Sequence, residues 1–249
     1  MHTKDSLIAQ LSAMLPSDAT VLMHSSCKSL GQMENGGDTI LDALTEYFSR
    51  GLVVLPTHTW ATVNDRQPVY DVLYTPVCIG LLPELFRKRP GVHRSWHPTH
   101  SVAAFGADAE EFVRGDENCP TPCARDSAWG RLYDRDAYVL LVGVELNRMT
   151  FFHGVEEWNG IPGRLKEAPN RYVVIPPDGG RIVRDYYPHC GDSSQLYPKA
   201  ETALLHAGAM RMEKLGDATV RLLSCRKSAE VVSSLLKDNP FFFGKAGYR

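Results

Sequence analysis

The chain has 249 residues, a length suited to one domain spanning 1–249. Such a domain would bury about 75% of its unfolded surface and needs no disulfide or metal to fold. Its 27 basic and 29 acidic residues leave a net charge of −2, which excludes the basic footprint of nucleic-acid and acidic-membrane binders. From the amino terminus, Met1-His2-Thr3-Lys4-Asp5-Ser6-Leu7-Ile8 lacks a secretory apolar core, and no later apolar run approaches membrane-spanning length. Six cysteines are too few for a disulfide scaffold of this length. They read as reduced thiols in a cytoplasmic protein.

Helical spacing of apolar residues over 6–15 ends at Pro16. A strand over 19–24 then delivers His24-Ser25-Ser26 to a loop, and a helix over 38–48 follows Asn35-Gly36-Gly37. Further strands are expected at 52–56, 101–106 and 137–144, with helices at 80–89 and 108–114. This β-loop-α alternation argues for a layered α/β/α domain around a central mixed sheet. Two β-rich runs, 171–176 and 181–185, flank Pro177-Asp178-Gly179-Gly180 as a late hairpin. A helix over 194–206, a strand over 218–223 and a helix over 229–237 complete the pattern. The tail Pro240-Phe241-Phe242-Phe243 reads as cover for the core rather than a contact surface.

Four loops collect groups able to do chemistry. His24-Ser25-Ser26-Cys27-Lys28-Ser29-Leu30-Gly31 can hold an anion through hydroxyls, a lysine and backbone N–H groups, but lacks the spacing of a nucleotide P-loop. An ordinary serine-rich turn fits this loop equally well. In Trp96-His97-Pro98-Thr99-His100-Ser101, two histidines three apart invite a zinc reading. Pro98 prevents a regular helical pair, and no acidic third ligand is adjacent. A fixed platform of hydrogen-bonding groups fits that loop better.

Cys119 and Cys123 flank two prolines, a poor geometry for a metal knuckle. Cys123 lies near Arg125, which could lower its pKa. Buried structural thiols are nevertheless the commoner case. Thr150-Phe151-Phe152-His153-Gly154-Val155-Glu156-Glu157 follows the most apolar strand. If helical and capped by Thr150, it sets His153 and Glu156 on one face at a strand's carboxyl end. A carboxylate beside the ring would raise the histidine pKa towards neutrality and suit it to general-base work. A satisfied structural histidine is the plain alternative.

Taken in chain order, His24-Ser25-Ser26, Gly36-Gly37, Leu55-Pro56-Thr57-His58-Thr59, Arg94-Ser95-Trp96-His97-Pro98-Thr99-His100-Ser101-Val102, Thr121-Pro122-Cys123, Trp129-Gly130-Arg131-Leu132 and Thr150-x-x-His153-x-x-Glu156 resemble the aminoglycoside 3-N-acetyltransferase family. The resemblance spans nearly the whole chain and implies a fold distinct from the GCN5-type acetyltransferases. It implies direct acetyl transfer from acetyl-CoA to a small-molecule amine, with no nucleic-acid or membrane partner. By motif, His153 becomes the general base, and Glu156 orients it or holds the cationic substrate. His24, Ser25, Ser26, Lys28, Ser29, His97, Thr99, His100 and Ser101 become the acetyl-CoA side, with Lys28 and Arg125 offered to its phosphates. An acidic acceptor pocket would draw on Asp71 and Glu157 besides Glu156. Phe151 stands where the family often has serine, and the run 157–164 also departs from it. The acceptor is therefore an aminoglycoside or another amine or polar metabolite. Two readings of other classes remain: a metal hydrolase using His97, His100 and His153, and a non-catalytic acyl-CoA-binding protein.

Overall fold

A computed structural model describes residues 1–244. In chain order its strands are β1 (Thr20–Ser25), β2 (Leu52–Pro56), β3 (Val69–Asp71), β4 (His93–Arg94), β5 (Val102–Gly106), β6 (Tyr138–Val142), β7 (Asn170–Ile175), β8 (Ile182–Tyr186), β9 (Met210–Leu215) and β10 (Ala218–Ser224). The helices are α1 (Lys4–Met14), α2 (Gly37–Tyr47), α3 (Leu81–Phe86), α4 (Ala109–Val113), α5 (Ala128–Asp134), α6 (Phe151–Trp158), α7 (Glu201–His206) and α8 (Cys225–Asp238). Among the described residues, no helix is long and apolar enough to cross a membrane.

Seven strands form one mixed sheet in the order β4-β5-β2-β1-β6-β10-β9. The central trio β2, β1 and β6 is parallel, and the flanking strands pair antiparallel. Being central, β6 is apolar on both faces. Val139 and Leu141 enter one core with α4 to α8, and Leu140 and Val142 enter the other with α1 to α3. The alternation of β1 sends Leu22 to the α6 side, and His24, two residues on, follows it. This is the expected α/β/α architecture.

The expected hairpin forms as β7 and β8, with Gly179 at φ +80° in its turn, where a β-carbon would be strained. It is not an isolated appendage. Its strand β7 pairs parallel with β3, which sequence patterning did not reveal, and this sheet has its own small core around Tyr70, Tyr172 and Tyr186. A three-residue strand carries too little periodicity to be read in advance. The same holds for β4, while α5 and β9 also went unforeseen. The expected helix over 194–206 divides into a 3-10 segment, Ser193–Ala200, and α7, because Pro198 cannot donate to an α-helical ladder. In the tail, Phe243 is buried against Tyr197 with ring centroids 4.8 Å apart, so it does cover the core.

Candidate active site

A cavity of about 810 Å³ opens at the carboxyl ends of β1 and β6, beside the amino terminus of α6. The three-stranded sheet contributes the opposite wall through Tyr172 and Asn170. Open α/β sheets place ligands at this end because the loops diverge there.

Thr150 does not cap α6 as expected. It already has helical dihedrals, and its hydroxyl instead bonds His58 Nε2 at 3.1 Å. His153 and Glu156 do share a face, with Nδ1 and Oε2 3.4 Å apart. Two further groups crowd the same ring nitrogen. Arg164 Nη2 lies 2.8 Å from Nδ1, and the Tyr197 hydroxyl contacts it closely. The Glu156 carboxylate accepts from Tyr197 Oη at 2.6 Å and from Ser193 Oγ at 2.9 Å. Arg164 Nε sits 3.0 Å from the same oxygen as an ion pair without an aligned N–H. Among the described residues nothing bonds His153 Nε2, and the residue lines the cavity.

The electrostatics differ from the sequence expectation. Glu156 does favour the imidazolium, but burial and then the Arg164 charge outweigh it. The His153 pKa is pushed down to about 4 instead of towards neutrality. Burial pushes the Glu156 carboxyl up. Its hydrogen bond with His153 and the Arg164 charge more than offset that, leaving it below its ordinary value.

His153 belongs to a larger cluster. Rings of His153 and His189 lie 4.9 Å apart, those of His189 and His100 5.1 Å, and those of His100 and His58 4.8 Å. Burial pushes His24 and His97 down to about 3 and holds His58, His100 and His189 well below 6.5. All six imidazoles are therefore neutral near pH 7.

Of the residues expected on the acetyl-CoA side, His24, Ser25, Thr99 and His100 line the cavity. Ser26, Lys28 and Ser29 do not. Ser26 begins the 3-10 turn Cys27–Leu30, and Ser29 Oγ is turned to the Gly143 carbonyl. His97 and Ser101 are buried loop fasteners instead. His97 Nδ1 accepts the His100 N–H at 3.0 Å, and Ser101 Oγ donates to the Thr57 carbonyl at 2.8 Å. Arg125 is held by Asp134 and lies over the Tyr133 and Trp158 rings.

Neither carboxylate expected beside the acceptor lines the cavity. Asp71 Oδ1 accepts the N–H groups of Leu73 and Tyr74, each at 2.9 Å, and so closes a turn. Glu157 is buried against Thr121, Cys123 and His189, where burial pushes its pKa up to about 7. The acidic residues that do line the wall are Asp65 and Asp192, alongside the basic Arg148 and Lys166.

Cys123 is fully buried, and burial holds its thiol pKa well up, the opposite of a nucleophile's environment. His97, His100 and His153 do not converge on a metal position among the described residues. Tyr197, Ser193, Arg164 and His189 were missed as members of the site. Arg164 and His58 lie in runs that carried other signals. Tyr197, 44 residues beyond His153, carried none.

The family model for aminoglycoside 3-N-acetyltransferase matches residues 22–237. A curated relative, the SPbeta prophage-derived aminoglycoside N(3')-acetyltransferase-like protein YokD of Bacillus subtilis, is 28% identical, with 96% of this chain and 93% of that protein covered. Aminoglycoside N(3)-acetyltransferase VII of Streptomyces paromomycinus is 28% identical over 74% of this chain and 70% of its own length. The crystal structure of YokD superposes with a TM-score of 0.82 at 26% identity, covering 96% of this chain and 94% of its own. A histidine-to-alanine mutant of the aminoglycoside acetyltransferase AAC(3)-IVa in complex with a gentamicin gives 0.83 at 26% identity, covering 97% of this chain and 90% of its own. By this match over most of its length, the chain belongs to the aminoglycoside 3-N-acetyltransferase family and is an acetyltransferase.

Proposed function

We propose that this protein moves the acetyl group of acetyl-CoA directly to an amine, the 3-amine of an aminoglycoside or a related amine, with His153 as general base. Acetyl-CoA is the acyl donor of the family. The observation that carries the reading is the two-sided environment of His153. Its Nδ1 edge is gripped by Glu156, Tyr197 and Arg164, and its Nε2 edge is left to the cavity.

For Nε2 to accept a proton, Nδ1 must carry the ring hydrogen. The Tyr197 hydroxyl donates to Glu156, so its oxygen is free to accept from Nδ1–H. Nε2 then takes the amine proton as nitrogen attacks the thioester carbonyl, the C–S bond breaks, and the imidazolium passes that proton to the departing CoA thiolate, which leaves as the thiol. Glu156 balances the imidazolium that forms. Thr99 and His100 line the cavity, and in this reading they donate towards the carbonyl oxygen as it gains charge. The buried, protonated Cys123 favours direct transfer over an acyl-enzyme.

The cavity is large enough for the purpose, since small-molecule sites run to about 300–1,000 Å³. Arg148, without an ion pair among the described residues, suits a phosphate of the donor. The mixed charge of the wall, Asp65 and Asp192 with Arg148 and Lys166, favours a second reading of the acceptor. A polycation calls for a more uniformly acidic surface, so an amine that also carries an anionic group fits as well. A thiol-release assay with acetyl-CoA and a panel of aminoglycosides, beside calorimetry with acetyl-CoA alone, tests the proposal. Turnover with a free 3-amine is the expected result. Donor binding without aminoglycoside turnover would move the acceptor to other amines, and no donor binding would overturn the proposal.

A further inference from the structure

Beside the His153–Glu156 pair lies a second cluster, reaching the cavity through His189, to which the proposed transfer gives no chemical step. We propose that Cys123, Glu157 and His189 form a binding site for a thiophilic divalent transition metal of the zinc class. Among the described residues this is the one set of three metal-ligating side chains whose donor atoms converge, all lying within 4.8 Å of one another. The donors are a thiol sulfur, a carboxylate oxygen and an imidazole nitrogen. Sulfur and nitrogen donors select zinc, cobalt and their neighbours against magnesium and calcium. Three protein ligands with an open fourth position is the arrangement of zinc sites that keep a water.

The set is assembled by tertiary structure and pinned on each side. Cys123 comes from the loop before α5, Glu157 from α6 and His189 from the segment after β8. Trp158 Nε1 donates to the Cys123 carbonyl at 2.9 Å, and the Cys123 N–H donates to Glu157 Oε1 at 2.9 Å. Thr121 Oγ1 donates to Glu157 Oε2 at 2.6 Å, orienting the carboxylate from behind. Leu165 and His189 are bridged backbone to backbone, and the Cys190 N–H donates to the Arg164 carbonyl at 2.8 Å. Without a metal, a carboxylate and an imidazole sharing one coordination position close on each other through a proton. Glu157 Oε1 and His189 Nε2 are so joined.

Metal binding would release the Cys123 proton to solvent and displace the hydrogen held between Glu157 and His189. A thiolate, a carboxylate, a neutral imidazole and a dication sum to zero charge, which suits a buried position. An ion there would also set a dication beside the base, since the His189 and His153 rings are 4.9 Å apart. Occupancy is therefore expected to inhibit transfer. That consequence rests on His153 being the base, whereas the binding site does not.

The test is a titration of the full chain with Co(II), followed by thiolate-to-cobalt charge-transfer absorption, with competition by Zn(II) and metal analysis after dialysis. One equivalent per chain and a thiolate band are expected. C123S should lose the band and H189Q should weaken binding. Thr121→Val should keep the band and weaken binding about 10- to 100-fold, the usual cost of removing a group that orients a ligand. Cys190→Ser, the thiol adjacent to His189, should change neither. Far-UV circular dichroism checks folding, and if C123S fails to fold, H189Q and Thr121→Val decide. Absence of a stoichiometric cobalt complex, or a band that persists in folded C123S, would overturn the site. Full turnover with zinc bound would overturn only its coupling to His153.

Discussion

Arg164 Nη2 stands 2.8 Å from His153 Nδ1, and a guanidinium can only donate. While that contact holds, Nδ1 is an acceptor and the ring proton sits on Nε2, facing the cavity. Tyr197 and Glu156 favour the opposite tautomer by offering oxygens to an Nδ1–H. His153 therefore lies between two sets of partners with opposite demands. Arg164 also neutralises Glu156 in a space where an unpaired carboxylate would be costly.

Replacing His153 by Ala should lower turnover by roughly 10²- to 10⁴-fold, the range for losing a general base, while acetyl-CoA still binds. Steady-state kinetics beside calorimetry measure both. Unchanged turnover would remove His153 from the chemistry.

Tyr197→Phe keeps the ring packed on Phe243 and removes only the hydroxyl. A hydrogen bond to a charged group is worth about 1.5–3 kcal/mol, so kcat should fall about 10- to 100-fold. KM for either substrate should change little, because the hydroxyl faces Glu156 and the Nδ1 edge. A rise in KM at constant kcat would contradict the positioning role.

As the proposed base, His153 would work in its neutral form, and burial followed by Arg164 holds its pKa near 4. The acid limb of kcat/KM should consequently fall near pH 4, well below the 6.5 of an ordinary histidine. Arg164→Gln removes a positive neighbour and should move the limb upwards. A wild-type limb at 6.5 would show that the ring is more solvated than its burial implies.

Acid should also destabilise the fold. His24, His97 and His153 have folded pKa values of about 3, 3 and 4, below the unfolded value of 6.5. Below pH 6.5 the unfolded chain takes up protons that the folded chain refuses. Stability is thus full above 6.5 and is lost as pH falls towards 3, at about 1.4 kcal/mol per pH unit for each such group. Glu157 works against this, since a carboxyl raised to about 7 favours folding below that pH. The histidines are more numerous, so thermal midpoints should drop between pH 6.5 and 4. A flat series would argue against six neutral imidazoles.

Gly130→Ala should destabilise by about 3 kcal/mol or more, towards the severe end for overpacking, since a β-carbon there would lie 1.7 Å from the Arg125 carbonyl oxygen. Chemical denaturation of the purified variant measures it. A loss below about 0.5 kcal/mol, the ordinary range for an open surface position, would show that the Arg125 loop yields freely.

The sequence by itself determined the α/β/α layering, because β2, β5 and β6 are short, mostly apolar runs, β1 carries the apolar core Val21-Leu22-Met23, and turn signals between them alternate with helical spacing. It also determined the pairing of His153 with Glu156, which needs nothing beyond the pitch of one short helix. Short-range order of this kind is written locally, in the period of a pattern or the chemistry of a turn. Tertiary structure alone decided the rest. It brought Tyr197 and Arg164 to the Nδ1 edge and His189 to Glu157, and it withdrew Asp71, Lys28 and Ser101 from the cavity. It also set the direction of the His153 pKa, because desolvation depends on everything packed around a ring and no local spacing records it.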